Sequence, residues 1–248
     1  MSQNSLIALI FLGISILNSG CSKSDDDKPC DTLPIISSTN NICLTIEHTR
    51  LSNAHRDIIE SKVSSGLSSI NSLIPINDLR ISIVDNPQLV IPEIGIGGYN
   101  PDEHEVILAI DVNFSNLDST LEENLIAILA HEIHHAKRRR SVGYGNTLLQ
   151  AVVSEGLADH FSIELTGIEP PPWSIALTND ELQNWIDAAG NSWSQPYNHG
   201  AWFLGTDPNI PRWTGYSIGF ELVKNYLLNN PGRLPSNLHN EQASSFEP

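Results

Sequence analysis

Residues 125–140 read LIAILAHEIHHAKRRR. The stretch opens on six apolar residues and closes on four cations. Upstream, Leu121, Leu125, Ile128, Leu129 and Ile133 recur at spacings of three and four, the period of a helix with one buried side. Asn116 to Ser119 offer polar starts, so a helix is expected from there to about Arg140. Its basic last turn suits the negative end of the helix dipole. Within it, His131-Glu132-Ile133-His134-His135 fits the pattern H-E-x-x-H. Positions i and i+4 lie about 40° apart around a helix axis and one turn along it. The imidazoles of His131 and His135 can therefore reach one metal ion. Glu132, beside the first, is placed to take a proton from a bound water. The competing reading is a helix whose histidines are merely solvated near its C-terminal end.

The second decisive stretch is VSEGLADHF, residues 153–161. Nineteen residues lie between His135 and Glu155, room for a turn and a returning helix, expected over Thr147 to Leu165. Two histidines and a glutamate form a known catalytic zinc set that leaves the fourth position for water. Zn²⁺ is accordingly the expected cofactor, held by His131, His135 and Glu155. Gly156 removes a side chain where two helices must come close. Asp159 follows Glu155 by one turn and can accept a hydrogen bond from the non-ligating nitrogen of a zinc histidine, His131 for preference. His160 is the alternative orienting group. His134 points about 100° away from His135 and reads as a packing residue.

Around these motifs, Ser52 to Ile74 is an amphipathic helix. Leu79 to Val84 and Glu105 to Val112 read as strands. Gln88 to Gly98, rich in Gly and Pro, reads as a loop or irregular strand. Shorter helices follow at Thr178 to Ala188 and Gly215 to Leu228. Strands cluster before residue 115 and helices dominate after it, an α+β signature. Glu105 to Val112 could offer a sheet edge on which a peptide substrate lies as an added strand, with Gly95, Gly97 and Gly98 admitting its backbone; an ordinary core strand is the other reading.

Taken together, HEIHHAKR, LLQAVVSEGLADHF and WTGYSIGF resemble the predicted zinc-dependent proteases grouped as DUF2268, over roughly residues 90–230. More broadly, H-E-x-x-H followed by Glu155 and Asp159 resembles the gluzincin metallopeptidases, with thermolysin as the familiar member. The resemblance implies a zincin-like domain: a small N-terminal sheet packed on an active-site helix, followed by a mainly helical part, here residues 35–248. It implies hydrolysis of a peptide or protein substrate by metal-activated water, with Glu132 as general base. Such chemistry also needs a donor to the developing oxyanion. Tyr216, opening a helix, and His199, in a loop-like stretch, are the two candidates. The rival readings are a non-catalytic surface lipoprotein stapled by zinc, and a binding domain without metal.

The formal net charge of −16 argues against nucleic acid or anionic lipid as partners, which it would repel. Residues 1–21 read as a signal peptide of the lipoprotein kind. An apolar run from Leu6 to Leu17 is too short to span a bilayer, and small residues then lead into Cys21, the expected lipid anchor. Residues 22–34 read as a solvated tether. The expected location is therefore the bacterial cell envelope, at the outer membrane, with contact to the membrane only through the lipid on Cys21; the acidic residues after Cys21 read either as a tag for export to the surface or as a plain charged linker. Cys30 and Cys43, with twelve residues between them, are expected to close a disulfide; two free thiols are the alternative.

Overall fold

The computed structural model describes residue 30, residues 35–37, 39–47 and 50–248. The signal peptide, the lipid-bearing Cys21 and all of the tether except Cys30 lie outside the described residues. The order of elements is β1 (Ile35–Ser37), β2 (Ile42–Ile46), α1 (Asn53–Leu73), β3 (Leu79–Asp85), β4 (Ile96–Asp102), β5 (Glu105–Ile110), α2 (Leu117–Arg139), α3 (Leu148–Thr166), α4 (Asn179–Gly190), a π turn (Gly200–Leu204) and α5 (Thr214–Asn229). The fold is α+β, with a five-stranded sheet in the N-terminal part and helices after it. Among the described residues no helix is long and apolar enough to cross a membrane.

The sheet has the order β1-β2-β3-β5-β4. β2, β3 and β5 run parallel, while β1 and β4 are antiparallel to their neighbours. Of the two readings of Glu105 to Val112, the ordinary core strand therefore holds and the free edge does not. β5 is hydrogen-bonded on both sides, as its nearly unbroken apolar sequence requires of a strand buried on both faces. The edge strand on that side is β4, which starts inside the stretch read as loop or irregular strand and is bridged at Ile96 by Ile91. Its register shifts between Tyr99 and Asp102, around Pro101, which has no N–H to give a ladder.

The core lies between sheet and helices. Ile81, Ile83, Leu108 and Ile110 from the strands meet Ile59, Val63 and Ile70 of α1 and Leu121, Leu125, Leu129 and Ile133 of α2. A second cluster joins Val152, Val153 and Leu157 of α3 to Ile186 of α4, Ile218 and Leu222 of α5, and Phe246 near the C-terminus. The site described below lies where the two clusters meet, and Tyr216 packs against both. Capping explains the helix starts: Thr147 with Gln150, and Thr178 with Glu181, form reciprocal capping boxes. α3 ends on Gly167 in the left-handed conformation. At the start of the described chain a disulfide joins Cys30 to Cys43, with Cα atoms 5.5 Å apart.

The basic run that closes α2 does more than complement a dipole. Lys137 Nζ donates to the carbonyl of Pro75 at 2.6 Å. Arg138, only 2 % exposed, donates to Ser154 Oγ and to the carbonyls of His239 and Glu241, so it ties the C-terminal segment to the α2–α3 pair. Arg139 donates to Asn100 on β4, and Arg140 to the carbonyls of Asn77 and Glu103. Four consecutive cations thus anchor four separate parts of the chain.

Candidate metal centre

α2 and α3 cross so that His131, His135 and Glu155 each turn one donor atom to a common point, all within 4.8 Å of one another. Nε2 of His135 lies 3.0 Å from Nε2 of His131. Oε2 of Glu155 lies 3.1 Å from the first ring and 3.4 Å from the second. All three residues are buried. On the far side of His131, Nδ1 lies 2.8 Å from Oδ1 of Asp159. A carboxylate oxygen accepts, so a ring proton sits on Nδ1, and Nε2 is the ring nitrogen that faces the common point. Asp159 is itself fixed by Trp173 Nε1, which donates at 3.2 Å, and by the hydroxyl of Ser174. Glu155 is held by the hydroxyl of Tyr144, which donates to Oε1.

Such a cluster of buried donors calls for positive charge. Burial opposes a charge on His131, yet Asp159 and Glu155 carry its pKa well above the ordinary histidine value. Burial likewise opposes the Glu155 carboxylate, but the two imidazoles hold it well below the usual range. His135 is lowered by burial, which Glu155 offsets only in part, and its Nδ1 has no partner among the described residues. Two imidazole nitrogens and a carboxylate oxygen at hydrogen-bond distance, one ring oriented from behind, fit a divalent cation of the zinc type.

Glu132 stands next to this point. Its Oε2 is buried with no partner among the described residues. Burial, reinforced by Glu155 and Asp159 and opposed by His131 and Arg139, pushes its pKa up to about 8. Gly98 of the edge strand lies against it: a Cβ there would be 2.6 Å from Cγ of Glu132. A side chain at 98 would displace the carboxylate, so the glycine lets the strand pass close to the site.

The centre opens into a cavity of about 250 Å³, whose wall includes Gly98, Asn100, Glu132, Arg139, Tyr144, His199 and Tyr216. Both oxyanion candidates therefore reach it, but differently. Tyr216 is half-buried on the first turn of α5. His199 precedes the π turn, is exposed, and stacks on Phe203 at 4.6 Å. The two leftover histidines turn away. His134 is fully buried against Phe161. His160 stacks on Phe220, with Nε2 2.9 Å from the Phe220 carbonyl, so the group beside the His131 ring is Asp159. Sequence reasoning missed Tyr144 and Arg139. Tyr144 sits in the α2–α3 turn with no periodicity to flag it, and Arg139 was hidden in the cationic run.

A helix-borne histidine pair completed by a glutamate on the next helix makes a site of the class that could hold a metal ion. The chain belongs to the DUF2268 family, described as predicted Zn-dependent proteases, which matches residues 59–246. No curated protein matches the sequence.

Proposed function

We propose that this protein is a zinc-dependent peptidase of the gluzincin type, with a zincin-like arrangement of sheet and active-site helix. The observation that carries the reading is the convergence of His131, His135 and Glu155 within 4.8 Å with the partnerless Oε2 of Glu132 beside them. His131, His135 and Glu155 would hold the ion. When bound, zinc supplies a water whose pKa is lowered towards about 7 and polarises the scissile carbonyl.

The chain's own groups do the rest. Glu132 accepts the proton of the attacking water and passes it to the leaving amine. Asp159 keeps the His131 ring oriented, and Tyr144 keeps Glu155 oriented. Tyr216, whose hydroxyl has no partner among the described residues, donates to the oxyanion; His199 is the rival for that role. The substrate lies along β4, where Gly98 brings its backbone next to Glu132. The location belongs to the same proposal: a lipid on Cys21 would hold the enzyme at the envelope, with the acidic domain reaching peptides beyond the membrane.

Zinc analysis of the purified protein, together with a peptide-library screen of wild type and Glu132→Gln, tests this. One equivalent of zinc in both and cleavage only by wild type is the expected result. Equal cleavage by both would remove Glu132 as the base. Zinc without cleavage in either would favour a structural staple.

A further inference from the structure

Arg139 is the one arginine or lysine among the described lining residues of the cavity. The guanidinium does not pair with either carboxylate of the centre. Its Nε donates to Oδ1 of Asn100 at 2.6 Å and its Nη2 to the Asn100 carbonyl at 2.9 Å. The group also lies over the ring of Tyr144, with Cζ 5.3 Å from the centroid. Asn100 is buried and is held in turn by donating to the carbonyls of Asp102 and Glu105. The guanidinium is therefore fixed in position from two sides, while Nη1 has no partner among the described residues. A preorganised arginine fork with one side open is a receptor for a carboxylate.

Its distance from the chemistry sets what it would read. Gly98 touches Glu132, and Asn100 is two residues further along the same strand, about 7 Å at the usual rise. A peptide running beside β4 past Glu132 would thus bring a group within two residues of its scissile bond to Arg139. On a chain of net charge −16, an anionic substrate group needs such a local cation to be accepted rather than repelled.

Resting on the peptidase reading above, we propose that Arg139 is a specificity residue that binds a substrate carboxylate within two residues of the cleaved bond. The carboxylate is either the chain's own C-terminus, which would make the enzyme trim chain ends, or the side chain of Asp or Glu.

The test uses the zinc-loaded full-length protein and three kinds of N-acetylated alanine hexapeptide: the free acid, its C-terminal amide, and amides carrying one Glu at successive positions. Wild type should prefer one carboxylate-bearing kind by about 10- to 100-fold in kcat/KM, the usual worth of a hydrogen bond to a charged group. Preference for the free acid alone identifies the chain end, and preference for a Glu amide identifies the side chain. Arg139→Gln should bring the ratio to near one, with partial recovery in Arg139→Lys. If Arg139 only pins Asn100, the Gln variant lowers all substrates together and the ratio survives, which overturns the proposal. So does a wild type indifferent to the carboxylate. Titration calorimetry of the same peptides on Glu132→Gln and Glu132→Gln/Arg139→Gln reads the ratio as affinity. It therefore answers for Arg139 even where wild type hydrolyses nothing, the outcome that would instead defeat the peptidase reading.

Discussion

Gly156 of α3 and Gly219 of α5 meet backbone to backbone. A Cβ on Gly156 would run into the carbonyl oxygen of Gly219, and one on Gly219 into that of Val152. The contact matters for the site because α3 carries Glu155 and α5 carries Tyr216. Main-chain atoms cannot swing aside as a flexible side chain does, so an added methyl must push the helices apart.

Alanine at either glycine should therefore cost about 3 kcal/mol, the upper part of the overpacking range, or roughly 6–12 °C in Tm for a chain of this size. Gly66→Ala is the control. Its Cβ would meet only side chains of α2, the nearest at 3.4 Å, and alanine favours a helix interior over glycine by about 0.5–1 kcal/mol. Thermal melts should show Gly66→Ala at or above wild type. Equal melting of all three variants would show that the α3–α5 contact is looser than described.

Asp159 accepts from three donors: the His131 ring, Trp173 and Ser174. Asparagine keeps the shape but turns an NH₂ towards one of them, so a buried donor faces a donor. Zinc affinity of Asp159→Asn, measured by chelator competition, should fall about 10- to 100-fold, the usual effect of losing a group that orients a ligand. The metal-free variant should also lose about 1–3 kcal/mol of stability for the unsatisfied group. Unchanged affinity would mean that His131 needs no support from behind.

His160 offers a pH test away from the metal ligands. Burial chiefly, with Lys224, lowers its pKa below the ordinary 6.5, while the Phe220 carbonyl, Asp159 and Glu221 work the other way. Between the folded and unfolded pKa values the unfolded chain holds more protons, so stability falls as pH falls. The contribution is fully present above about pH 7, starts to be lost near the unfolded value of about 6.5 and goes on being lost as pH falls through the lower folded value. The Tm advantage of wild type over His160→Gln, whose amide can still donate to Phe220, should be constant above that pH and shrink towards pH 5. A constant gap across that range would contradict it.

What the sequence disclosed and what it hid follow one rule. α2 and α3 were legible because their apolar periods and end signals, such as the Thr147–Gln150 pair, are local. The meeting of His131, His135 and Glu155 was legible because helix geometry fixes the first pair and a turn of suitable length fixes the third. The edge position of β4 was not: Ile96–Asp102 contains two glycines and Pro101 and alternates poorly, and only pairing with β5 reveals its place. The run from Lys137 to Arg140 looked like one feature, charge at a helix end. The three acceptors of Arg138 alone lie between 16 and 103 residues away in sequence, and no local pattern encodes such distances. β1 and β2 were missed for a related reason, because strands of three and five residues carry too short a period to read.

The rivalry between Tyr216 and His199 can be settled by kinetics. Both reach the cavity, but Tyr216 is set on the first turn of α5 and wedged between the two core clusters, with Phe203 edge-on at 5.0 Å. A donor held in place beforehand lowers a barrier more than one that must be ordered from solvent. Burial first, then the nearby carboxylates of Glu155, Asp159 and Glu132, hold its pKa well above the usual phenol value, so the proton stays available for donation. Tyr216→Phe removes only the hydroxyl and should lower kcat by about 10²- to 10³-fold with KM little changed, as loss of one oxyanion donor does. His199→Gln, at an exposed position, should cost less than about tenfold, the equivalent of 1.4 kcal/mol. The reverse order in kcat would move the oxyanion role to His199.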